Sequence, residues 1–383
     1  MSTKAKRDIG DAGKLRWGIF GAAQIAHKNW KAILNSGNGI VRAVASRGAD
    51  RARRFIEECQ REAPFEKVPE ALGSYEQMLA SPEVDAVYIP LPTALRREWV
   101  VRAADAGKHV VCEKPCARDA SELREMVEAC RRNDVQFLDG VMFMHSRRLP
   151  RAREVIDDGS SVGAVRRIAV QFSFCAAADF LSDNIRMNSA LEPHGCLGDL
   201  GWYCIRFILW TLKWQLPREV TGRILAQAAG AGSPSAVPTA FSAELLFEDG
   251  VSAGFYCSFV TENQQWVNVS GSRGYLQMAD FVLPFQGAEI GFEVFNSAFE
   301  ARGCDFEMKQ NRRWISIAEH SHSHPTSQET NLFRNFAGQV LGGSLNAEWP
   351  EWSLATQRVM DACLQSARLG RPVLVESCPA EGL

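Results

Sequence analysis

Short apolar runs alternate with longer amphipathic stretches through the first 140 residues. The run at 15–20 is apolar and ends at Gly21. Residues 22–34 place Ile25, Trp30, Ile33 and Leu34 toward one side and stop at Ser36-Gly37, the pattern of a helix with a glycine beyond its last turn. The same reading predicts strands at 40–45, 84–89, 109–112 and 135–138 and helices at 50–61, 95–106 and 119–132. Strand followed by helix, repeated, predicts a parallel sheet with helices on both faces. Beyond residue 142 the period changes to two. Ile168, Val170, Phe172 and Phe174 alternate, as do Phe241, Ala243, Leu245 and Phe247, and then Ala253, Phe255, Cys257 and Phe259 after a turn at Asp249-Gly250. A strand at 266–270 meets another at 274–278 through Gly271-Ser272-Arg273. This predicts an open, mostly antiparallel sheet with one buried face, the other needing cover from helices or a second subunit. Residues 230–238 read as a surface loop, and 353–369 as a late helix before Gly370.

The 383 residues are too many for one core. The expected division is a polar tail at 1–14, an α/β domain at 15–141 and an α+β domain at 142–383, with the helix at 353–369 packing back on the first domain. A net charge of −2 gives no electrostatic footprint for nucleic acid. No apolar run approaches the ~20 residues of a membrane span, and residues 1–14 hold no apolar signal segment. Eleven cysteines, an odd number without a C-x-x-C pair, read as reduced and mostly buried thiols. The class expected is a cytoplasmic enzyme without a metal.

Two stretches carry chemistry. The first strand runs into Gly21-Ala22-Ala23-Gln24-Ile25-Ala26, a worn form of the dinucleotide fingerprint, with Gly21 at the tight turn and Ala23 where a pyrophosphate approaches the backbone. The second strand ends at Ala45-Ser46-Arg47. An NAD site puts an acid at the position of Ser46. A hydroxyl and a guanidinium instead suit a 2′-phosphate, so NADP(H) is preferred, with NAD(H) the alternative.

The second stretch is Glu113-Lys114-Pro115, at the end of the strand 109–112, where parallel sheets present ligand-binding groups. It has a counterpart in the apolar helix opened by Gly195-Cys196-Leu197-Gly198-Asp199-Leu200-Gly201-Trp202-Tyr203. Asp199 and Tyr203, four apart, share a helix face. The repeated glycines admit a close approach, by a nicotinamide ring or substrate. A tyrosine beside a lysine is a proton donor whose phenolate the ammonium favours. A core tyrosine bonded to Asp199 fits this stretch equally well.

These segments, with Tyr88-Ile89-Pro90-Leu91-Pro92 and Ala106-Gly107-Lys108-His109-Val110-Val111-Cys112 between them, resemble in residue and order the Gfo/Idh/MocA oxidoreductase family, in its dihydrodiol dehydrogenase-like branch. The resemblance implies an N-terminal Rossmann domain and a C-terminal open sheet that packs on another subunit as a homodimer or homotetramer. It implies Lys114 as catalytic lysine, Tyr203 as proton donor or acceptor and Asp199 as the acid one turn before it. The cofactor set is then Gly21, Ala22, Ala23, Gln24, Ile25, Ser46, Arg47, Leu91, Pro92, Thr93, Glu113 and Lys114. The implied activity interconverts a hydroxyl and a carbonyl on a sugar or related cyclic polyol or ketone. Many members carry asparagine and, three residues on, histidine where this chain has Thr93 and Arg96. Arg206 also departs, standing where relatives carry a smaller polar residue.

Arg186, His194 and His145 are candidate substrate contacts. His320, His322 and His324 alternate with serines in a polar loop, which favours solvation over metal. Two further classes stay open: a redox-type glycosidase with tightly bound NAD, and a dinucleotide-binding regulator without catalysis. Retention of both Lys114 and Tyr203 speaks against the regulator.

Overall fold

The apolar run at 15–20 is a strand, β1 (Leu15–Phe20), buried at every position but Arg16. It was located in a computed structural model that describes residues 13–375; the tail expected at 1–14 therefore lies almost wholly outside the described residues. There follow α1 (Gln24–Ser36), β2 (Gly39–Ala45), α2 (Ala49–Glu62), β3 (Glu70–Leu72), α3 (Tyr75–Ala80), β4 (Ala86–Ile89), α4 (Thr93–Asp105), β5 (His109–Cys112), α5 (Ala120–Arg132) and β6 (Phe137–Asp139). The six strands form one parallel sheet in the order β3-β2-β1-β4-β5-β6. The order reverses between β1 and β4, and ligands bind outside the carboxyl ends of strands at such a switch point. The α1 helix ends at Gly37, whose φ of +79° is the left-handed conformation that glycine adopts without steric cost.

Chain contacts divide the described residues into two units. One holds the residues up to Cys116 with Ser121–His145 and His322–Glu351; the other holds Ala117–Ala120, Ser146–Ser321 and the chain from Trp352 on. Late in the chain, His322–Glu351 groups with the nucleotide-type unit, and the residues from Trp352 on group with the other. The former stretch contains α9, numbered here after α6 (Arg148–Asp157), α7 (Ala178–Asp183) and α8 (Trp202–Thr211) and spanning Gln328–Leu341. Phe333 and Phe336 of α9 lie 5.2 and 5.3 Å, centroid to centroid, from the ring of Trp17. Arg334 donates to the carbonyls of Asn35 and Ser36 at 3.1 and 3.0 Å, satisfying the open carbonyl end of α1.

In the second unit β7 (Val165–Cys175), β8 (Glu219–Ala228), β9 (Val237–Leu246), β10 (Ser252–Ser258), β11 (Val260–Gly271), β12 (Tyr275–Met278), β13 (Ile290–Arg302), β14 (Asp305–Ile317) and β15 (Val373–Leu374) form one sheet. Its order is β14-β13-β12-β11-β7-β10-β9-β8-β15, antiparallel throughout except for the parallel pair β7 and β10. The expected alternation holds in register: Ile168, Val170 and Phe172 pair with Ala253, Phe255 and Cys257, all buried. The turn between β9 and β10 puts Asp249 and Gly250 at φ of +56° and +74°, as a tight hairpin turn demands. The ten cysteines among the described residues are free thiols, eight of them buried.

The late helix, α10 (Glu348–Leu369), belongs from Trp352 on with this sheet because β8 lets it come close. A Cβ on Gly222 would stand 2.1 Å from the carbonyl oxygen of Cys363, and the Gly222 amide donates to Ser366 Oγ at 3.0 Å. On the same helix the Asp361 carboxyl accepts the Ala120 amide at 2.7 Å and Gln357 Nε2 at 2.8 Å. Burial outweighs these bonds and pushes its pKa up to about 6. A carboxyl raised in the folded state binds more protons there than when unfolded, so its contribution to stability falls as pH rises from about 4 to about 6. Asp361→Asn removes that loss. The urea midpoint of the variant relative to wild type should climb between pH ~4 and pH ~7, by an equivalent of about 1–3 kcal/mol for a partly buried group. Parallel pH profiles for the two proteins would show that Asp361 titrates normally.

Candidate functional site

The nucleotide end is assembled by the turn from β1 into α1. Gly21 has a φ of +83°, and a side chain there would meet Leu91 Cδ2 at 3.3 Å and the Tyr75 hydroxyl at 3.5 Å. The α1 helix begins at Gln24 with Ala23 before it and no side-chain cap on its first amides. Uncapped amides at a helix N-terminus favour an anionic group. Ala22 and Ala23 are half-buried, and Gln24 and Ile25 are exposed. Ser46 is buried at the end of β2, while Arg47 is exposed. Arg47 and Arg51 both act on the Tyr75 hydroxyl by charge, opposing the burial that raises its pKa. Two guanidiniums therefore flank the end of β2. Arg51 escaped the sequence reading because it stands in a charged helix like any solvated residue. These groups fit a dinucleotide with an extra phosphate.

Lys114 follows β5 and is half-buried. Its loop is held on several sides. The Tyr88 hydroxyl donates to Glu113 Oε1 at 2.6 Å, Asn29 Nδ2 donates to the Tyr88 hydroxyl at 2.6 Å, and the Lys114 amide reaches Glu113 Oε2 at 3.3 Å. Burial first, then the Glu113 charge, pushes the Tyr88 hydroxyl well above its ordinary pKa, which keeps it a donor. Gly140 makes room for the carboxylate: a Cβ there would lie 2.9 Å from Glu113 Oε1. Leu91 and Thr93 are buried at the end of β4 and the start of α4. The Lys114-Pro115 bond is cis.

In the sheet unit Tyr203 opens α8, with its ring edge-on to Phe172 at 5.7 Å and only 7% of its surface exposed. The turn before it, Leu197–Gly201, is π-helical, a local irregularity frequent at functional sites. Asp199 lies in that turn, four residues before Tyr203. Its carboxylate pairs with Arg186, Nε to Oδ2 2.8 Å. The Asp199 charge raises the pKa of Arg186 against the opposing effect of burial, with smaller contributions in the same sense from Glu192 and Tyr203. The glycines of this stretch are explained by packing. A Cβ at Gly195 would meet the Pro238 carbonyl oxygen at 2.2 Å, and one at Gly201 would meet Leu197 at 2.9 Å and Cys257 at 3.3 Å. They bring the helix down onto β9 and β10, and the expectation that they admit a ligand is corrected accordingly for these two.

The remaining candidates have plainer surroundings. His194 is buried, with Nε2 2.9 Å from the Arg118 carbonyl oxygen. His145 is buried in the other unit, edge-on to Trp349 and 3.2 Å from Asn335 Nδ2. Arg206 is fully buried and donates to Thr356 Oγ1 at 2.7 Å. Among the described residues no group of three or more His, Cys, Asp or Glu side chains is arranged to hold a metal ion, and no helix is long and apolar enough to cross a membrane.

Comparison with known proteins agrees with this architecture. Residues 15–140 match the family described as "Oxidoreductase family, NAD-binding Rossmann fold", and residues 150–277 match the "GFO/IDH/MocA C-terminal domain". The chain belongs to the Gfo/Idh/MocA family of NAD(P)-dependent oxidoreductases. An uncharacterized oxidoreductase of Rhizobium meliloti is 30% identical over 93% of this chain and 98% of its own length. The NADP-dependent D-xylose 1-dehydrogenase 2 of Haloferax volcanii is 28% identical, with 94% and 99% covered. Among solved structures, a 3-ketoreductase from Actinomadura kijaniata in complex with NADP and TDP-benzene superposes with a TM-score of 0.72 at 26% identity, covering 92% of this chain and 98% of that one.

Proposed function

We propose that this protein is an NADP(H)-dependent oxidoreductase that interconverts a hydroxyl and a carbonyl on a sugar or related cyclic polyol or ketone. The observation that carries the reading is the braced position of Lys114 at the carboxyl end of β5, in the same unit as the Gly21 turn. A lysine whose backbone is held at that edge serves a developing alkoxide with little reorganisation of its loop. The named activities of the xylose dehydrogenase and the 3-ketoreductase support a sugar-like substrate and NADP.

NADPH, when bound, supplies the hydride. In the reductive direction Tyr203 gives its phenolic proton to the carbonyl oxygen and is reprotonated from solvent. Lys114 stabilises the negative charge that grows on that oxygen. Asp199 and Arg186 orient the substrate's polar groups. The helix α1 amides, with Leu91, Pro92 and Thr93 at the end of β4, line the nucleotide site. The β13 and β14 strands leave Phe299, Phe306, Met308 and Trp314 exposed. Exposed apolar surface of this kind supports assembly of the sheet with a second copy, and a monomer in sedimentation would overturn that part.

The nucleotide choice is tested by titrating NADPH and NADH. Wild type should bind NADPH more tightly, and Arg47→Ala should weaken NADPH about 10- to 100-fold while changing NADH by less than about threefold. A wild-type preference for NADH would contradict the reading of Ser46 and Arg47.

A further inference from the structure

We propose that Arg96 is a positioning residue for Lys114, holding the lysine's loop through backbone carbonyls on both sides of it. This rests on the catalytic reading of Lys114 given above. Arg96 is the fourth residue of α4 and is only 5% exposed. A buried cation in a helix's first turn opposes the helix dipole and must find acceptors. Arg96 finds them on two neighbouring strand ends. Its Nε donates to the Leu91 carbonyl at 2.7 Å, beyond β4. Its Nη1 donates to the Glu113 carbonyl at 2.9 Å and to the Pro115 carbonyl, beyond β5. Lys114 is the residue between those last two carbonyls. Thr93 Oγ1 also donates to the Pro115 carbonyl, at 3.3 Å. Thr93 and Arg96, the two positions that depart from the family's asparagine and histidine, therefore converge on one oxygen beside the lysine.

The geometry needs a guanidinium. Nitrogens fixed at a set angle reach three carbonyls on two segments, and a lysine ammonium on a flexible stem lacks that fork. Glu113 already holds the Lys114 amide from the side-chain direction. Arg96 holds the flanking carbonyls, and through Leu91, which packs against Gly21, it ties the loop to the Gly21 turn. A small displacement of a reacting group is enough to cost about 100-fold in rate.

The test places Arg96→Lys and Arg96→Met in wild-type and Lys114→Ala backgrounds, using full-length protein, NADPH and D-xylose-type aldoses, ketoses and 3-keto sugars as substrate probes. In the wild-type background kcat should fall about 10- to 100-fold for methionine, with lysine recovering little of it. NADPH affinity and KM should stay within about threefold. In the Lys114→Ala background the same changes should cost less than about threefold more, because residues acting as a unit are not additive. Millimolar guanidinium should partly restore Arg96→Met. Equal losses in both backgrounds, or an unchanged kcat in Arg96→Met, would overturn the proposal while leaving the catalytic reading intact. If Lys114→Ala itself keeps full turnover, or no probe is turned over, it is the catalytic reading that fails. Hydrogen exchange then decides whether Arg96 holds the loop: the peptide 111–117 should exchange faster in Arg96→Met with the 15–20 strand unchanged, and unchanged exchange at 111–117 would overturn the hold as well.

Discussion

Lys114→Ala is expected to lower kcat by at least about 100-fold with the fold preserved. Preservation follows from how the loop is built. Glu113 is fixed by Tyr88 and Asn29, and the flanking carbonyls are fixed by Arg96 and Thr93, so deleting the lysine side chain removes none of these bonds. Lys114 is half-buried, and its truncation leaves no large core cavity of the sort that unfolds a protein. The expected loss therefore sits in kcat, the signature of an interaction made in the transition state. Steady-state kinetics with a thermal melt on the same sample checks both halves. A kcat within a few-fold of wild type would remove Lys114 from the chemistry.

Tyr203→Phe should show the second large effect, a fall in kcat of about 100- to 10,000-fold. Phenylalanine keeps the ring that packs edge-on to Phe172 and loses only the hydroxyl, so the fold should be kept. The comparison with Lys114→Ala separates roles. On the proposed mechanism the tyrosine moves a proton and the lysine supplies charge, so the double variant should be little slower than the worse single variant. Additive losses would mean the two residues act independently, and a normal rate in Tyr203→Phe would reassign the proton.

Much of the fold was legible because burial leaves a periodic trace. The strand at 109–112 was read to the residue, since all of Val110, Val111 and Cys112 are buried between helices. The β7 and β10 strands were legible because one face alone is apolar. Strand β14 was missed because residues 305–314 are exposed on nearly every side, so no core imposes an alternation there. Helix α9 was missed because polar Gln328, Glu329, Thr330 and Asn331 occupy its buried first turn.

The candidate site was legible in its residue types and not in its supports. Gly21, Lys114 and Tyr203 stand out by motif. The hold of Arg96 on three carbonyls cannot be seen in sequence, because carbonyl acceptors belong to every residue alike. Nor can the pairing of Asp199 with Arg186, thirteen residues apart. The glycines at 195 and 201 misled because a close approach of backbone to Pro238 and Cys257 looks the same in sequence as an approach to a ligand.

The most direct test of the central claim is absorbance of NADPH mixed with the wild-type protein and a panel of ketoses, aldoses and 3-keto sugars. The account predicts that NADPH is consumed one for one with reduced sugar, and that deuterium placed on the nicotinamide C4 appears on the sugar carbon. Sugar cleaved with no net change in nucleotide absorbance, or no turnover of any of these sugars with either NADPH or NADP+, would contradict it.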